Sequence, residues 1–141
     1  MANNLYELIK KNERRGDFTH ADVTEEKVAA AEDMLGNRLP AEYKRFLQAF
    51  GHGGIGGIEV LGVGKDGTLV FVNETLKYRT YGMPNHLVAI ENCDEWVYCV
   101  DATDGEVVMW SIGEAHPTVA FESFEFYLLE RLNDMLENMA L

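Results

Sequence analysis

The fold is decided by three apolar, β-prone runs: Leu87-Val-Ala-Ile90, Trp96-Val-Tyr-Cys-Val100 and Val107-Val-Met-Trp-Ser-Ile112. They are separated by two short polar connections, Asn92–Glu95 and Ala102–Glu106. A connection this short joins neighbouring strands antiparallel, whereas parallel strands need a much longer crossover. The pattern therefore predicts an antiparallel meander.

Helical patterns flank these runs on both sides. A short amphipathic helix is expected to end near Gly16, and a second is expected to begin after the N-cap Thr24 and to end at Gly36. Pro40 suits the first turn of a third helix, and Ser123 suits the N-cap of a long last helix. Strands bounded by helices at both ends predict an α+β arrangement, in which an antiparallel sheet buries one face against helices.

The middle of the chain is rich in glycine. Gly51–Gly57 follows a helix and precedes a strand, which reverses the order of a phosphate-binding loop, so helix termination and a tight turn explain it. Short strands are expected at 58–61 and 69–71, and Asn73 is expected to cap a helix that ends at Gly82. No linker interrupts the pattern, so residues 1–141 are predicted to form one domain.

Negative charge is concentrated in the second half of the chain. Residues 1–79 hold twelve acids and eleven bases, whereas residues 80–141 hold twelve acids and one base, Arg131. Such a surface repels nucleic acid and anionic membranes and attracts basic proteins. Because the acids of the meander lie at strand ends and turns, we expect them to cluster along one rim of the sheet. Solubility is the alternative explanation of an acidic surface.

The residues give no sign of catalysis, metal binding or a cofactor. The four histidines are far apart, and none lies in a nucleophile signature. Cys93 and Cys99 do not have the spacing of zinc ligands, and two cysteines are too few for a disulfide-stabilised fold. Both points favour free thiols in a reducing cytoplasm. No apolar run is long enough to cross a membrane. We therefore expect a cytoplasmic protein that is not an enzyme.

A longer pattern resembles a known family. Glu32–Leu47 holds an acidic residue, a leucine and then Leu-Pro-x-x-Tyr-x-x-Phe-Leu, and the glycine-rich turn follows it. Downstream, Tyr98–Asp101, Val107–Trp110 and Phe121–Phe124 come in the order that the family has. In these respects the chain is similar, over roughly residues 24–134, to the SUKH superfamily, which includes the Smi/Knr regulators of fungal cell-wall assembly.

The resemblance implies both a fold and a role. The fold is an antiparallel sheet wrapped by helices, as the residues themselves predict. Bacterial members, including the YobK-like subgroup that resembles this chain at Tyr81-Gly82, are typically immunity proteins. They bind and silence a toxin, often a nuclease or a deaminase. The family has no catalytic residues to carry over, and its toxin-contacting positions vary from member to member.

Charge and resemblance together give a hypothesis for the binding surface. An inhibitor that offers carboxylates to the basic cleft of a nuclease competes there with the nucleic acid. Trp96 is expected to anchor the toxin, although strand aromatics more often pack in a core. Two alternatives to a toxin-binding protein remain: a regulatory interaction module and an enzyme with a deep pocket. The sequence does not decide whether the protein is a monomer or a homodimer. The carboxylates expected to face the partner are Glu91, Asp94, Glu95, Asp101 and Asp104.

Overall fold

A four-stranded antiparallel sheet in the order β1-β2-β3-β4 forms the centre of the computed structural model, which describes residues 2–140. Met1 and Leu141, the two ends of the predicted 1–141 domain, lie outside the described residues. Each strand pairs with the next along the chain, so the predicted α+β meander is confirmed. The strands are β1 (Leu87–Asn92), β2 (Val97–Asp101), β3 (Val107–Trp110) and β4 (Thr118–Phe121).

Helices cover both faces of this sheet, as the resemblance implies, whereas the residue pattern alone predicted one covered face. Tyr78 of α4 contacts Trp110 on one face, with ring centroids 6.0 Å apart. Tyr127 of α5 contacts Tyr98 on the other, with centroids 5.5 Å apart. The helices are α1 (Ala2–Asn12), α2 (Glu25–Leu35), α3 (Ala41–Phe50), α4 (Val70–Arg79) and α5 (Phe124–Ala140).

Three of the predicted helix caps are confirmed: Thr24, Ser123 and Gly36. Thr24 accepts a hydrogen bond from the Lys27 amide at 3.2 Å, and Ser123 accepts one from the Phe126 amide at 3.1 Å. Gly36 ends α2 with a φ of 73°, a left-handed conformation that glycine adopts without steric cost. These local signals fix where helices begin and end because they satisfy backbone groups that the helix leaves unpaired.

The structure corrects the middle of the chain. Helix α4 begins at Val70, so the predicted strand at 69–71 and the predicted cap Asn73 are both wrong. The helix is set by a tertiary contact: the Thr75 hydroxyl donates to the Phe71 carbonyl at 2.7 Å and accepts from the Ala89 amide of β1 at 2.9 Å. Residues 58–61 form only an isolated bridge, between Val60 and Gly53.

The last strand, β4, was not predicted from the sequence. It has four residues, all exposed or half-buried, and Val119 is 54% exposed. A strand at the edge of a sheet lacks the buried apolar alternation by which strands are recognised. The strand predicted at 107–112 also ends earlier, at Trp110, and Ile112 belongs to the loop between β3 and β4.

An aromatic core joins α3, α5 and the glycine-rich segment. The ring of Tyr43 lies 5.2 Å from that of Phe124, and Phe46 lies 5.6 Å from the same ring. The buried Tyr43 hydroxyl donates to the Leu61 carbonyl at 2.5 Å. The Leu-Pro-x-x-Tyr-x-x-Phe-Leu pattern therefore supplies core packing, and it holds the segment beside β1, where the Leu61 amide donates to the Ile90 carbonyl.

Candidate functional site

The predicted single acidic rim is wrong, because the acids lie at the two opposite ends of the sheet. In a meander, the β1–β2 and β3–β4 connections lie at one end, and the β2–β3 connection lies at the other. Asp94, Glu95 and Trp96 belong to the first end, whereas Asp101 and Asp104 belong to the second. The five residues of β2 keep the two ends about 13 Å apart along the strand. We call them the Trp96 end and the Asp104 end.

A tight turn forms the Trp96 end. Asp94 has a φ of 66°, the left-handed region that residues other than glycine seldom adopt. Its amide donates to the side-chain oxygen of Asn92 at 2.8 Å, and the Cys93 amide donates to the Trp96 carbonyl at 2.9 Å. These bonds fix the turn so that the carboxylates of Asp94 and Glu95 are exposed.

One hydrogen bond ties this turn to the β3–β4 loop, and a second holds that loop against the end of β3. The Ser111 hydroxyl donates to the Glu95 carbonyl at 3.0 Å. The indole of Trp110 donates to the Glu114 carbonyl at 3.3 Å. Glu114 is exposed in this loop. The Trp96 end is thus one connected surface that carries three exposed carboxylates.

A cleft of about 270 Å³ lies at the Trp96 end. Trp96 is half-buried in its wall, and its ring lies edge-on to Tyr98 with centroids 6.1 Å apart. Ile112, also in the wall, is 64% exposed. The cleft therefore combines apolar walls with acidic neighbours. It is lined by Tyr78, Asn92, Asp94, Glu95, Trp96, Val97, Trp110, Ser111 and Ile112.

The Asp104 end has a different character, because its acids are partly engaged within the turn. Asp101 accepts from the amide and the hydroxyl of Thr103, and its carboxylate lies 3.7 Å from His86. Asp104 accepts from the Glu106 amide at 2.9 Å. The adjacent Asp104 carboxylate, through a hydrogen bond and through its charge, raises the pKa of Glu106.

A wider cleft of about 390 Å³ lies at this end, between the β2–β3 turn and the start of α3. Arg38 is among its lining residues, so a cation of the first half of the chain already faces these acids. Glu42, in the same wall, accepts from the Glu125 amide at 3.0 Å. The acids at this end are therefore partly engaged within the turn, although Asp104, Glu106 and Glu122 form no ion pair among residues 2–140.

Glu91 does not belong to the exposed surface on which it was expected. Its side chain is buried, with the residue 4% exposed, and its carboxylate accepts from the Tyr127 hydroxyl at 2.8 Å. Arg131 donates to the same carboxylate from Nε at 3.1 Å and from Nη2 at 2.5 Å. Burial, and then the Glu91 charge, raise the pKa of Tyr127 well above its usual range. Glu91 is a structural anchor between β1 and α5.

A bulge in β1 produces this burial. Ala89 pairs with Cys99 and Glu91 pairs with Tyr98, so one extra residue is inserted between them. A bulge turns the following side chain to the other face of a sheet. Glu91 consequently shares the face of Tyr98, which α5 covers. No signal in the sequence marks this bulge.

Most acids of the second half form no ion pair. Its one cation, Arg131, is taken by Glu91, and Arg45 of α3 pairs with Glu125 at 2.8 Å. Within residues 2–140, nine acids of that half form no salt bridge, and none of the nine is buried. They are Asp94, Glu95, Asp104, Glu106, Glu114, Glu122, Glu130, Asp134 and Glu137.

Cys93 and Cys99 are both free thiols. Burial, and then the Glu91 charge, raise the pKa of Cys93 to about 11, so its thiol stays protonated and unreactive at neutral pH. Cys99 is fully buried and free. In the described part of the chain, no group of three or more metal-ligating side chains comes together. None of the helices there is long and apolar enough to cross a bilayer.

Sequence reasoning missed three residues of the Trp96 end: Tyr78, Ile112 and Glu114. Tyr78 comes from a helix whose place against the sheet was not predicted. Ile112 was assigned to a strand, where its side chain would have been core. Glu114 was counted among the acids but was not grouped with Asp94, because that grouping needs β4 to be recognised.

Comparison with known proteins shows the family and a similar fold. Residues 3–133 match the model of the family SUKH_5, described as SMI1-KNR4 cell-wall. The chain is also similar to a solved protein structure from Pseudomonas syringae pv. tomato, with a TM-score of 0.72 and 20% sequence identity. That similarity covers 95% of this chain and 99% of the other, and at this identity it concerns the fold alone.

Proposed function

This chain belongs to the SUKH family of SMI1-KNR4 type, and we propose that it is an immunity protein that binds and neutralises a bacterial toxin. The toxin is a basic, nuclease-like protein, and the binding takes place in the cytoplasm of the cell that is protected. The chain acts by occupying the toxin and has no catalytic role. We also propose that it belongs to the YobK-like subgroup of the bacterial members.

One observation carries this proposal: the unpaired carboxylates of the second half. A nuclease holds the phosphates of its substrate with lysine and arginine side chains. Carboxylates that are exposed and lack internal counter-ions attract such a surface and speed association. Asp94, Glu95 and Asp104 belong to this set, and Asp101 lies beside it as a partly engaged carboxylate. Glu91 is excluded from the proposed contact because it is buried.

Co-expression tests the role directly. The chain is expressed with the toxin domain encoded by the adjacent gene, and survival of the host and degradation of its nucleic acid are measured. We expect survival with the chain and death without it, together with a stable complex in a reciprocal pull-down. Survival that is the same with and without the chain would contradict an immunity role.

Two matched triple variants test the surface, since each removes three negative charges. Asp94→Asn/Glu95→Gln/Glu114→Gln changes the Trp96 end, and Asp104→Asn/Glu106→Gln/Glu122→Gln changes the opposite end. The end that contacts the toxin should show an association rate reduced about tenfold at low salt, and a smaller reduction at high salt. If both variants associate as the native chain does, the electrostatic mechanism is wrong.

A second candidate function follows from the family description, which refers to the cell wall. In that case the same acidic surface binds an endogenous protein, and the chain is a regulatory module. The position of the gene separates the two candidates, because an immunity gene lies beside its toxin gene and a regulator need not. Pull-down of the adjacent gene product, as above, distinguishes them in solution.

A further inference from the structure

We infer that the cleft at the Trp96 end receives an arginine side chain of the partner protein. This inference deepens the proposed function and rests on it for the identity of the partner. It concerns a different question, however, because it names the chemical group that the cleft recognises. It can therefore be tested with the isolated chain.

The walls of the cleft suit a flat, weakly hydrated group. Trp110 is fully buried against Tyr78, so it forms a rigid apolar base. Trp96, which is half-buried, and the exposed Ile112 also line the cleft. An aromatic side chain attracts a cation placed over its ring, and this attraction grows where water is excluded. The cleft volume of about 270 Å³ accommodates a side chain rather than a whole helix.

The charge of the cleft specifies a cation. Asp94 and Glu95 line it with exposed carboxylates, and neither forms an ion pair among the described residues. Glu114 adds a third charge from the adjoining loop, where the indole of Trp110 holds its carbonyl. An uncharged aromatic or aliphatic side chain would leave these carboxylates without a partner. The complementary occupant is therefore basic.

Arginine fits better than lysine for geometric reasons. Its guanidinium is planar, stacks on aromatic rings and donates two parallel hydrogen bonds to one carboxylate. Lysine carries a compact, strongly hydrated charge that does neither. The cleft offers both an aromatic wall and carboxylates within one small volume, which is the combination that arginine exploits.

The cleft is also held in shape before binding. The Ser111 hydroxyl ties the β3–β4 loop to the Glu95 carbonyl, and Asn92 fixes the backbone of Asp94. Binding to a site that is already ordered loses less conformational entropy. Asp94 has a φ of 66°, a conformation that favours glycine. Glycine at this position would relieve the strain but would remove the carboxylate from the cleft.

Intrinsic fluorescence provides a direct test, because the chain has two tryptophans and both line this cleft. The isolated chain is titrated at physiological ionic strength with capped nona-arginine and with capped nona-lysine, and calorimetry gives both affinities independently. The two peptides carry the same charge, so general attraction to the acidic protein acts equally on both. We expect nona-arginine to change the tryptophan emission and to bind about tenfold more tightly.

Matched variants locate the binding. Asp94→Asn/Glu95→Gln should lower the affinity for nona-arginine about tenfold, whereas Asp104→Asn/Glu106→Gln, with the same charge change, should lower it less than about threefold. Trp96→Phe keeps the chain folded and should reduce the preference for arginine over lysine. Equal affinities for the two peptides, or equal losses in the two double variants, would overturn the inference.

Two outcomes separate this inference from the proposed function. If the chain binds nona-arginine as expected but does not protect against the toxin, the cleft chemistry stands and the immunity role fails. If the chain protects but shows no preference for arginine, the role stands and the cleft chemistry fails. Sedimentation should show no self-association that depends on Asp94 and Glu95. Such a dimer would assign the cleft to a second copy and overturn the inference.

Discussion

At the scale of single residues, Glu91 shows how a side chain that looks like a surface charge becomes part of the core. Its carboxylate has three donors, two from Arg131 and one from Tyr127. Its side-chain hydrogen bond and charge raise the pKa of Arg131, so the guanidinium keeps its charge at neutral and alkaline pH. The pair joins β1 to α5, and its two residues are 40 positions apart in the sequence.

Removal of one partner should be costly. Glu91→Ala leaves the Arg131 guanidinium without its carboxylate and the Tyr127 hydroxyl without its acceptor. We expect a loss of about 3–5 kcal/mol in the free energy of unfolding, measured by urea denaturation. Glu91→Leu/Tyr127→Phe/Arg131→Met replaces all three groups with apolar ones and should recover most of this loss. A loss no larger than that of Glu95→Ala, which should stay within about 0.5 kcal/mol, would contradict the structural role.

Asp94 illustrates the opposite case, an exposed residue in a strained conformation. Asp94→Ala should lower the free energy of unfolding by about 1 kcal/mol, because aspartate, with its short polar side chain, adopts the left-handed region more readily than alanine does. Asp94→Gly relieves this strain and should be at least as stable as the native chain. Both variants lose the carboxylate, so toxin affinity should fall equally in the two. Affinity that followed stability instead would show that Asp94 acts only through the fold.

At the scale of elements, the sequence predicted what local chemistry controls. The caps Thr24, Gly36 and Ser123 were predicted correctly because each satisfies backbone groups within one turn of helix. The start of α4 was not predicted correctly, because it depends on a contact with β1. In that contact the Thr75 hydroxyl accepts a hydrogen bond from the Ala89 amide, 14 positions further along the chain. The edge strand β4 was not predicted because none of its residues is fully buried, and a strand is recognised by the alternation of buried apolar and exposed polar residues.

Close contact between two parts of the backbone explains why glycine is needed at Gly62. A Cβ built on Gly62 would lie 1.8 Å from the carbonyl oxygen of Gly51, whereas one on Gly64 would meet only the side-chain oxygen of Asp66, at 3.0 Å. Neither glycine has a positive φ, so the comparison isolates the steric effect. This approach lets the Val63 amide donate to the Gly51 carbonyl at 2.8 Å.

Alanine at the two glycines should therefore have different consequences. Gly62→Ala forces backbone to move and should lower the free energy of unfolding by about 3 kcal/mol, or prevent folding. Gly64→Ala should cost less than about 1 kcal/mol, since the new Cβ meets an exposed side-chain oxygen and not backbone, and a shift of a few tenths of an ångström relieves the contact. Thermal unfolding followed by circular dichroism measures both. Equal losses would mean that conformational freedom, and not close approach, selects glycine here.

At the scale of the whole molecule, the charge asymmetry of the sequence is real but its arrangement was not predictable from composition. The meander sends consecutive turns to opposite ends, so acids that are neighbours in the chain separate in space. Pairing then removes Glu91 and Glu125 from the free set through Arg131 and Arg45. The candidate surface depends on three long-range facts: the bulge, the edge strand and the position of α4. None of them leaves a local signature.

The whole molecule should also be sensitive to alkali. Burial is the largest cause that raises the pKa of both cysteines and five tyrosines, with Cys93 at about 11 and Tyr6 at about 12. Each of these groups keeps its proton longer in the folded chain than in the unfolded one. Their contribution to stability is therefore complete below the unfolded pKa and is lost as the pH rises above it. The remaining groups are Cys99, Tyr43, Tyr78, Tyr98 and Tyr127.

Urea denaturation between pH 7 and 10.5 measures this loss. The free energy of unfolding should begin to fall near pH 8.5, where unfolded cysteines ionise, and should fall more steeply above about pH 10, where tyrosines follow. Each group contributes up to about 1.4 kcal/mol per pH unit between its unfolded and folded pKa. In Cys93→Ser/Cys99→Ala the decline should start only near the tyrosine range. A free energy of unfolding that is the same at pH 7.5 and 10.5 would mean that these side chains are not buried as described.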